Sequence, residues 1–358
     1  MNKNLILVLG GTGAMGKHVV KLLSQSENQV FVTSRSFHKD ETNIHYLQGN
    51  AKNAQFLASI LPMHPWDAIV DFMIYGTHDF EERIDQLLSS TRQYVFISSS
   101  RVYADTQPAI AESSPRLLDA CHDSTYLSTD EYALSKAREE DILRRHEKKN
   151  WTIVRPYITY SEQRLQLGVL EKEYWLYQAL HGRTIVFSQD IARRTTTMTY
   201  GYDVARGIAA LLGRKEALGR VFHITVDESH TWQEIFDLYI RVLTEHLGHA
   251  PKMKMISKNP RIDIPTSKWQ VLYDRYYDRR FDNTAIKEFI NTTTFTPTLQ
   301  GIEQCLRDFL KNPSFHINGW GEHAMYDRIT GEWTPWKEIP TWEQRLKYFL
   351  RRTILPKH

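Results

Sequence analysis

Short apolar runs alternate with amphipathic segments along most of the chain, a pattern typical of parallel strands joined by helices. The first run, Leu5 to Leu9, is continuously apolar, which suits a strand buried on both faces of a sheet. Residues with helical spacing follow several of these runs, among them Ile84, Leu87 and Leu88. The pattern predicts an α/β fold, a doubly wound parallel sheet with helices on both faces. Further strands are predicted at 29–33, 45–48, 66–72, 94–97, 152–156, 195–200 and 221–226.

A cluster of glycines follows the first predicted strand. Gly10, Gly13 and Gly16 have the spacing GxxGxxG and precede a helical pattern that begins near Val19. Glycine allows a tight turn and a close approach of the backbone to a pyrophosphate, and the following helix offers N–H groups to the phosphates. The position of the turn, between a buried strand and an amphipathic helix, indicates a dinucleotide-binding site. The alternative is a purely structural turn.

The end of the second predicted strand bears on the choice of dinucleotide. NAD-preferring folds of this kind place a carboxylate on the ribose hydroxyls about 20 residues after the glycines. This chain has Ser34-Arg35-Ser36 at that position. Because an arginine can pair with a 2′-phosphate that a carboxylate would repel, NAD and NADP both remain open and NADP is slightly favoured. The alternative is a surface arginine. Asn50, after the third predicted strand, is placed to contact the adenine edge.

Two further motifs supply candidate acid–base chemistry. The fifth predicted strand ends in Ser98-Ser99-Ser100, and hydroxyls at the carboxyl end of a parallel strand face the crevice where ligands bind. A predicted helix then carries Tyr132 and Lys136, which share one face at spacing i, i+4. An ammonium and a cationic cofactor ring would lower the pKa of the phenol, which could then exchange a proton near neutral pH. Taken singly, serines often only end strands, and a Tyr/Lys pair often lies on a helix surface.

The order of glycine turn, strand-end serines and YxxxK helix resembles the short-chain dehydrogenase/reductase superfamily. The chain is most similar to its extended branch, the NAD(P)-dependent epimerase/dehydratase family, which includes nucleotide-sugar epimerases and dehydratases. The segment 98–103 resembles the SSxxVY element of the branch, and Arg155-Pro156 resembles its RP motif. The segment 202–205 is similar to its vDDvA element with tyrosine at the first Asp, and Asp282-Asn283 opens a segment like its late D-N helix. The resemblance covers about residues 1–312.

The resemblance implies roles for individual residues of this chain. Tyr132 would be the acid–base group, Lys136 would bind the nicotinamide ribose and lower the pKa of the tyrosine, and Ser99 would bind the substrate hydroxyl. Ser100 is the nearest competitor for the role of Ser99. The residues implied to bind the cofactor are Gly10, Thr12, Gly13, Ala14, Met15, Gly16, Ser34, Arg35, Asn50, Ala51, Phe72, Met73, Pro156 and Ile158. The residues implied to bind the substrate are Ser100, Arg164 and Arg194.

The implied reaction is hydride transfer at a carbinol or ketone carbon of a nucleotide-linked sugar, leading to epimerisation or, with NADP turnover, to reduction. Sugar dehydratases of the branch carry Asp-Glu just after a Thr at the serine position, where this chain has Ser100 and Arg101. This difference argues against 4,6-dehydration. Two other classes remain open: a non-catalytic cofactor-sensing or RNA-binding member of the same fold, and an interaction module centred on the aromatic C-terminal stretch.

We expect two domains and an extension. Thr231 and Glu234 form a predicted capping box that opens an amphipathic helix of the second domain. The run 273–280 mixes tyrosine and arginine and is interpreted as a charged surface helix, with a substrate-flanking segment as the alternative. The predicted regions are a Rossmann domain at 1–160 with a returning segment 195–226, a smaller α/β substrate-binding domain at 161–194 and 227–312, and an aromatic extension at 313–358.

Composition and charge narrow the function classes. The 358 residues include 45 basic and 42 acidic side chains, so the net charge of +3 gives no argument for nucleic-acid binding. The distant Cys121 and Cys305 suit a reducing compartment. Since no apolar run reaches about 18 residues, we expect a cytoplasmic protein without stable membrane insertion. His246 and His249 lack neighbouring ligands, so no metal is expected. We expect a homodimer that acts on a small molecule.

The last stretch, 313–358, lies beyond the resemblance and is rich in tryptophan. The segment 331–336 is interpreted as a loop, and 342–354 as an amphipathic helix with apolar residues on one side and basic residues around it. A basic amphipathic helix can contact a membrane surface. We expect instead that this helix packs on its own domain or on a partner subunit.

Overall fold

The computed structural model describes residues 4–107 and 109–353. The chain forms two compact units, each assembled from three stretches. The segment 279–298 lies in unit 1, and 313–353 lies in unit 2. Unit 1 comprises Met1–Ser161, Thr197–Ser229 and Arg279–Thr298; unit 2 comprises Glu162–Thr196, His230–Asp278 and Leu299–His358.

A parallel seven-stranded sheet forms the centre of unit 1, with strand order β11-β6-β5-β4-β1-β2-β3 in the numbering that follows. The order reverses beside β1, which creates the crevice where ligands bind in open α/β sheets. The strands of the chain are β1 (Leu5–Leu9), β2 (Gln29–Ser34), β3 (Ile44–Gln48), β4 (Trp66–Asp71), β5 (Thr91–Ile97), β6 (Trp151–Pro156), β7 (Thr159–Tyr160), β8 (Ile185–Ser188), β9 (Thr195–Thr196), β10 (Thr199–Tyr200), β11 (Arg220–Ile224), β12 (His230–Thr231) and β13 (Met253–Ile256).

Helices cover both faces of this sheet. Some begin at a capping side chain, such as Asn53 before the second helix, whose side chain accepts from the Phe56 N–H. The helices are α1 (Gly16–Ser24), α2 (Ala54–Ile60), α3 (Thr77–Glu81), α4 (Ile84–Ser89), α5 (Leu117–Ala120), α6 (Ser124–Leu127), α7 (Tyr132–Arg145), α8 (Lys172–Leu180), α9 (Gln189–Ala192), α10 (Gly201–Leu211), α11 (Trp232–Leu247), α12 (Lys268–Gln270), α13 (Thr284–Lys287), α14 (Thr298–Lys311), α15 (Gly321–Thr330) and α16 (Trp342–Thr353).

Alternate residues of the central strand enter two separate cores. Ile6 and Val8 of β1 pack with α1 and α10, while Leu7 and Leu9 pack with α2, α4 and α7. The pairing of Ile6 with Val30 in β2 and with Ala68 in β4 fixes this register. The continuously apolar run in the sequence therefore reflects a strand buried on both faces, as predicted, and the doubly wound α/β fold is confirmed.

Unit 2 is built around α11 and short strand pairs. The predicted capping box is present: Thr231 and Glu234 exchange side-chain and backbone hydrogen bonds at the start of α11. The helix ends at Gly248, whose φ of 76° lies in the left-handed region that favours glycine. Strand β8 pairs with β13, and β9 pairs with β12.

Two sequence interpretations were wrong in detail. The single strand predicted at 195–200 is two short strands, β9 and β10, because the chain passes from unit 2 to unit 1 between them and each pairs within its own unit. The charged surface helix predicted at 273–280 is instead a short π-helical turn, Val271–Arg275. Asp274 and Arg275 are buried there as an ion pair, and Arg275 donates to the Gly168 carbonyl at 2.9 Å. Because the two opposite charges compensate each other, both side chains can be buried inside unit 2.

None of the helices within the described residues has the length and apolar character that crossing a bilayer requires.

Candidate active site

The helix α7 presents Tyr132 and Lys136 in two different environments. Glu131 caps its N-terminus by accepting from the Ala133 N–H at 2.8 Å, so Tyr132 is the first helical residue. Tyr132 is half-buried, whereas the Lys136 side chain is only 1% exposed. The phenol is therefore open to a ligand at the first turn, and the ammonium lies one turn deeper within unit 1.

The three strand-end serines differ in what their hydroxyls do. Ser98 donates to Glu140 at 2.7 Å, and Ser100, fully buried, donates to the Arg155 carbonyl at 2.8 Å. The Ser99 hydroxyl instead accepts from the Arg101 N–H at 3.2 Å. Within the described part of the chain, the Ser99 proton has no protein acceptor, so Ser99 is the serine whose hydroxyl remains able to donate to a ligand.

Arg101 joins the serine turn to the tyrosine. Its guanidinium lies 5.3 Å from the centre of the Tyr132 ring and donates to Glu131 at 2.5 Å. The backbone N–H of the same residue is bound by Ser99. The 3-10 turn Ser100–Val102 thereby packs against the first turn of α7. Arg101 therefore contacts both candidate residues, Ser99 through its backbone N–H and Tyr132 through its guanidinium over the ring.

Lys136 is held by a buried carboxylate on its own helix. Its Nζ lies 2.9 Å from Glu139 Oε2, and Ser135 donates to the other oxygen of Glu139 at 2.9 Å. The ammonium also lies 4.4 Å from the centre of the Phe96 ring in β5, a cation–π distance. Burial raises the pKa of Glu139, and the charge and hydrogen bond of Lys136 oppose that shift. The position of the ammonium is thus fixed from two sides.

A second buried carboxylate, Asp71, lies at the end of β4. It accepts from Tyr94 Oη at 2.8 Å, from Tyr75 Oη at 3.1 Å and from the Met73 N–H at 2.8 Å. Burial raises the pKa of Asp71, against the effects of these donors and of the Lys136 charge. Burial also raises the pKa of both phenols well above the usual range, so they remain donors. Lys136 therefore acts in the field of two buried carboxylates.

Sequence reasoning missed Asp71, Glu139 and Arg101. Glu139 follows Lys136 at i+3, a spacing that places two side chains on one face, but most such pairs are exposed. Asp71 ends an apolar run, and a charged residue at the end of a strand is ordinarily exposed to solvent. The roles of Asp71 and Glu139 depend on burial, and that of Arg101 depends on its contact with Tyr132 and Glu131; the sequence reveals neither.

The three glycines of the turn between β1 and α1 differ in what surrounds them. Gly10 has a φ of 72°, and a Cβ there would lie 2.9 Å from Met73 Sδ; a Cβ on Gly16 would lie 2.7 Å from the Gly11 carbonyl oxygen. Both glycines are required by the fold itself. Gly13 is different, because the nearest atom to its Cβ would be the Gly10 oxygen at 3.8 Å. The fold leaves the Gly13 backbone open just before α1, which fits the close approach of a phosphate.

The other predicted cofactor residues lie at carboxyl ends of the sheet strands or just after them. Ser34 ends β2 and is buried, with its hydroxyl accepting from Ser36 N–H at 3.2 Å, while Arg35 is exposed. Asn50 is exposed and its side chain accepts from Lys52 N–H at 3.1 Å. The remaining members of the set occupy the turn before α1, end β6, or follow β3, β4 and β6: Thr12, Ala14, Met15, Ala51, Phe72, Met73, Pro156 and Ile158.

The two arginines predicted to bind substrate belong to unit 2, and each has a carboxylate partner. Arg164 lies 3.2 Å from Glu171, and Arg194 lies 4.0 Å from Asp278. Both guanidinium groups remain about a third exposed or more. Ser100, the third predicted substrate residue, is buried in unit 1 with its proton donated to the backbone, so this structure does not present its hydroxyl to a ligand.

No group of three or more His, Cys, Asp or Glu residues in 4–107 and 109–353 is arranged to hold a metal ion.

Comparison with known families gives one match for this chain. The profile described as the NAD dependent epimerase/dehydratase family matches residues 6–225, more than half of the 358 residues. A comparison with curated proteins gave no match.

Solved structures of several sugar-nucleotide enzymes share the fold. The dTDP-glucose 4,6-dehydratase of Bacillus anthracis, solved with NAD, is 18% identical, with a TM-score of 0.64 over 86% of this chain and 97% of that one. The UDP-glucuronic acid 4-epimerase of Bacillus cereus, with UDP-glucuronic acid and NAD, is 18% identical, with a TM-score of 0.64 over 87% of this chain and all of that one. The UDP-glucose 4-epimerase of Thermus thermophilus, solved with NAD, is 16% identical, with a TM-score of 0.61 over 87% of this chain and 100% of that one.

Proposed function

Because the chain belongs to the NAD dependent epimerase/dehydratase family and is thus an enzyme of the extended short-chain dehydrogenase type, we propose that it transfers a hydride at a carbinol or ketone carbon of a nucleotide-linked sugar, with Tyr132 as the acid–base group. The observation that carries this proposal is that Arg101 contacts both Ser99, whose hydroxyl proton has no acceptor among the described residues, and the half-buried Tyr132. The same sheet edge carries the open Gly13 turn.

Tyr132, Ser99 and Lys136 have different roles in the proposed proton transfer. When bound, the nicotinamide accepts or returns the hydride. Tyr132 takes the proton of the substrate hydroxyl on oxidation and returns it on reduction, and Ser99 donates to the same substrate oxygen. Lys136 gives one of its three ammonium protons to a hydrogen bond with Glu139, which leaves two for the hydroxyls of the nicotinamide ribose. Gly13 and the N-terminus of α1 receive the pyrophosphate.

A nucleotide-linked sugar is the substrate class that the arginines of unit 2 support. Arg164 and Arg194 are both partly exposed and held by single carboxylates, so each can exchange its partner for a phosphate oxygen. The Bacillus cereus relative is a structure with UDP-glucuronic acid bound. We propose epimerisation as the outcome when the cofactor stays bound, and reduction when NADPH turns over.

For the cofactor, we propose a preference for NADP over NAD. Arg35 is exposed directly after β2, at the position where a 2′-phosphate would lie, and neither Ser34 nor Ser36 would repel it. Fluorescence titration of the cofactor-free enzyme with NADPH and NADH measures the preference. Arg35→Ala is expected to weaken NADPH binding about 10-fold or more and leave NADH binding unchanged, since a charge-assisted bond contributes about 1.5–3 kcal/mol. Equal effects on both cofactors would contradict the proposal.

The decisive test of the reaction class compares wild type with Tyr132→Phe. UDP-glucose, UDP-glucuronic acid and dTDP-glucose are offered with NAD(H) or NADP(H), and products are separated by chromatography and identified by mass. Tyr132→Phe is expected to lower kcat by about 10²–10⁴-fold with cofactor affinity retained. A loss within about threefold would exclude Tyr132 as the acid–base group. Light scattering of the same samples tests the homodimer that we propose.

A further inference from the structure

The C-terminal part of unit 2 exposes an unusual concentration of large apolar side chains. Among the described residues, twelve large hydrophobic side chains are exposed, and six of them lie within residues 333–353. Trp342 is the most open of these six, at 74% exposed. We call this set the aromatic surface: Trp333, Trp336, Trp342, Leu346, Phe349 and Leu350.

The orientation of α16 is fixed by the face opposite to the aromatic surface. Tyr348 is fully buried, donates to Asp327 at 2.6 Å and accepts from the Thr334 N–H at 2.8 Å. Asp327 also accepts from Gln178 of α8 at 2.8 Å. The helix therefore packs on its own unit, one of the two expected arrangements, but it docks through Tyr348 and leaves its apolar stripe exposed.

The exposed side chains form one continuous stripe. Trp342, Leu346, Phe349 and Leu350 are spaced i, i+4, i+7 and i+8, which places them on one face of α16. The ring of Phe349 lies 6.3 Å from that of Trp333 and 6.5 Å from that of Trp336. The stripe on the helix and the two loop tryptophans are therefore a single patch.

Basic side chains border this patch on both sides. At about 100° per residue, Arg345 and Arg352 flank the stripe on one side and Lys347 flanks it on the other. Residues 333–353 contain five basic and two acidic residues, a net charge of +3 that equals the net charge of the whole chain. One of the two acidic residues, Glu338, is already paired with Arg183 at 2.7 Å. The rest of the sequence therefore has a net charge of zero, and the excess positive charge lies within residues 333–353.

We propose that the aromatic surface docks the enzyme on the face of an anionic lipid bilayer. Tryptophan favours the level of the lipid headgroups, an apolar stripe enters the boundary of the acyl chains, and flanking Lys and Arg attract acidic lipids. The helix lies in the plane of the interface and does not span the bilayer. A second copy of this chain is a poorer occupant, since pairing two such faces would bring their basic borders together.

Co-sedimentation with vesicles tests the proposal on the full-length enzyme. Vesicles of phosphatidylcholine with about 30 mol% phosphatidylglycerol are compared with pure phosphatidylcholine. Wild type is expected to bind the anionic vesicles at least about tenfold more tightly, with binding weakened by about 0.5 M NaCl. The variant Trp342→Ser/Leu346→Ser/Phe349→Ser is expected to lose at least about tenfold. Equal binding of wild type to both vesicles, or absence of binding, would overturn the proposal.

Two matched variants separate lipid docking from general apolar adsorption and from self-association. Met253→Ser/Met255→Ser removes two exposed apolar side chains of β13, also in unit 2, and is expected to bind like wild type. Lys347→Gln is expected to reduce the preference for anionic vesicles while thermal unfolding stays unchanged, because Lys347 is exposed. If the triple serine variant instead converted a dimer into a monomer in the absence of lipid, the surface would be a subunit interface and lipid docking would be rejected. Cofactor affinity serves as the folding control.

Discussion

Lys136 and Glu139 form a buried ion pair, with 2.9 Å between Nζ and Oε2 and at most 1% exposure of either side chain. The two residues are three positions apart on α7, so the helix itself sets their separation. Breaking a buried pair leaves an uncompensated charge, which costs about 3–5 kcal/mol. Glu139 is therefore a positioning residue for the lysine of the proposed proton-transfer site.

The first prediction concerns Glu139→Gln. Loss of the carboxylate is expected to lower the free energy of unfolding by about 3 kcal/mol, because Lys136 loses its charged partner. It also makes the electrostatic potential at the phenol of Tyr132 more positive, so the rising limb of the pH–kcat profile should move to lower pH. Urea unfolding and pH profiles of the two proteins measure these effects.

The control for Glu139→Gln is Arg138→Gln, on the same turn of α7. Arg138 pairs with Asp130 at 3.1 Å and donates to the Thr129 and Leu127 carbonyls at 2.7 Å, so this variant loosens the loop before α7 without removing the buried carboxylate. Its pH profile is expected to match that of wild type. If Glu139→Gln were destabilised and yet kept the wild-type pH profile, its role would be structural only.

The second prediction separates the two competing serines. Ser100→Ala removes a buried donor to the Arg155 carbonyl and is expected to cost about 1–2 kcal/mol of stability with little change in kcat. Ser99→Ala removes a cap of the 3-10 turn, at a similar cost, but also the donor to the substrate oxygen. We expect kcat/KM of Ser99→Ala to fall about 10-fold or more. The reverse ranking of activities would assign the substrate role to Ser100.

The third prediction is a loss of stability in mild acid that depends on His223. Burial lowers the pKa of this imidazole to about 4, while its Nε2 interacts with the Asp282 carbonyl at 2.8 Å. Since the pKa is lowered in the folded state, the stabilisation is complete above the unfolded value of about 6.5 and is lost as pH falls toward about 4. Between about pH 7.5 and 4.5 the loss is expected to be about 2–3 kcal/mol.

Urea unfolding of wild type and His223→Gln across this range checks the prediction. Glutamine cannot take up a proton, so the difference between the two unfolding free energies isolates His223 from other groups that titrate in acid. The groups nearest to it are Glu112, Arg155 and Tyr103, which remain in both proteins. Parallel pH curves for the two proteins would contradict the assignment.

The sequence predicted the elements whose signal is local. The apolar run Leu5 to Leu9 identifies a buried strand, and the glycines after it identify a turn, from neighbouring residues alone. The capping box at Thr231 identifies the start of a helix in the same way. Glu139 could not be assigned, because its role depends on the burial of its partner Lys136 against an element distant in sequence, Phe96 of β5. The split of β9 and β10 escaped prediction for the same reason, since each strand is defined by its partner.

Glu140, the residue after Glu139, ties α7 to the sheet: it accepts from Ser98 at the end of β5 and from Arg155 in β6. Tyr132 lies eight residues earlier, about 12 Å along the helix axis. The direction of the helix that carries the phenol is therefore set at its far end by an anchor on two strand ends, in addition to the Arg101 contacts at its first turn. If Tyr132 transfers the proton as proposed, the accuracy of that transfer depends in part on the sheet, and a change at Glu140 would alter the position of Tyr132 from a distance.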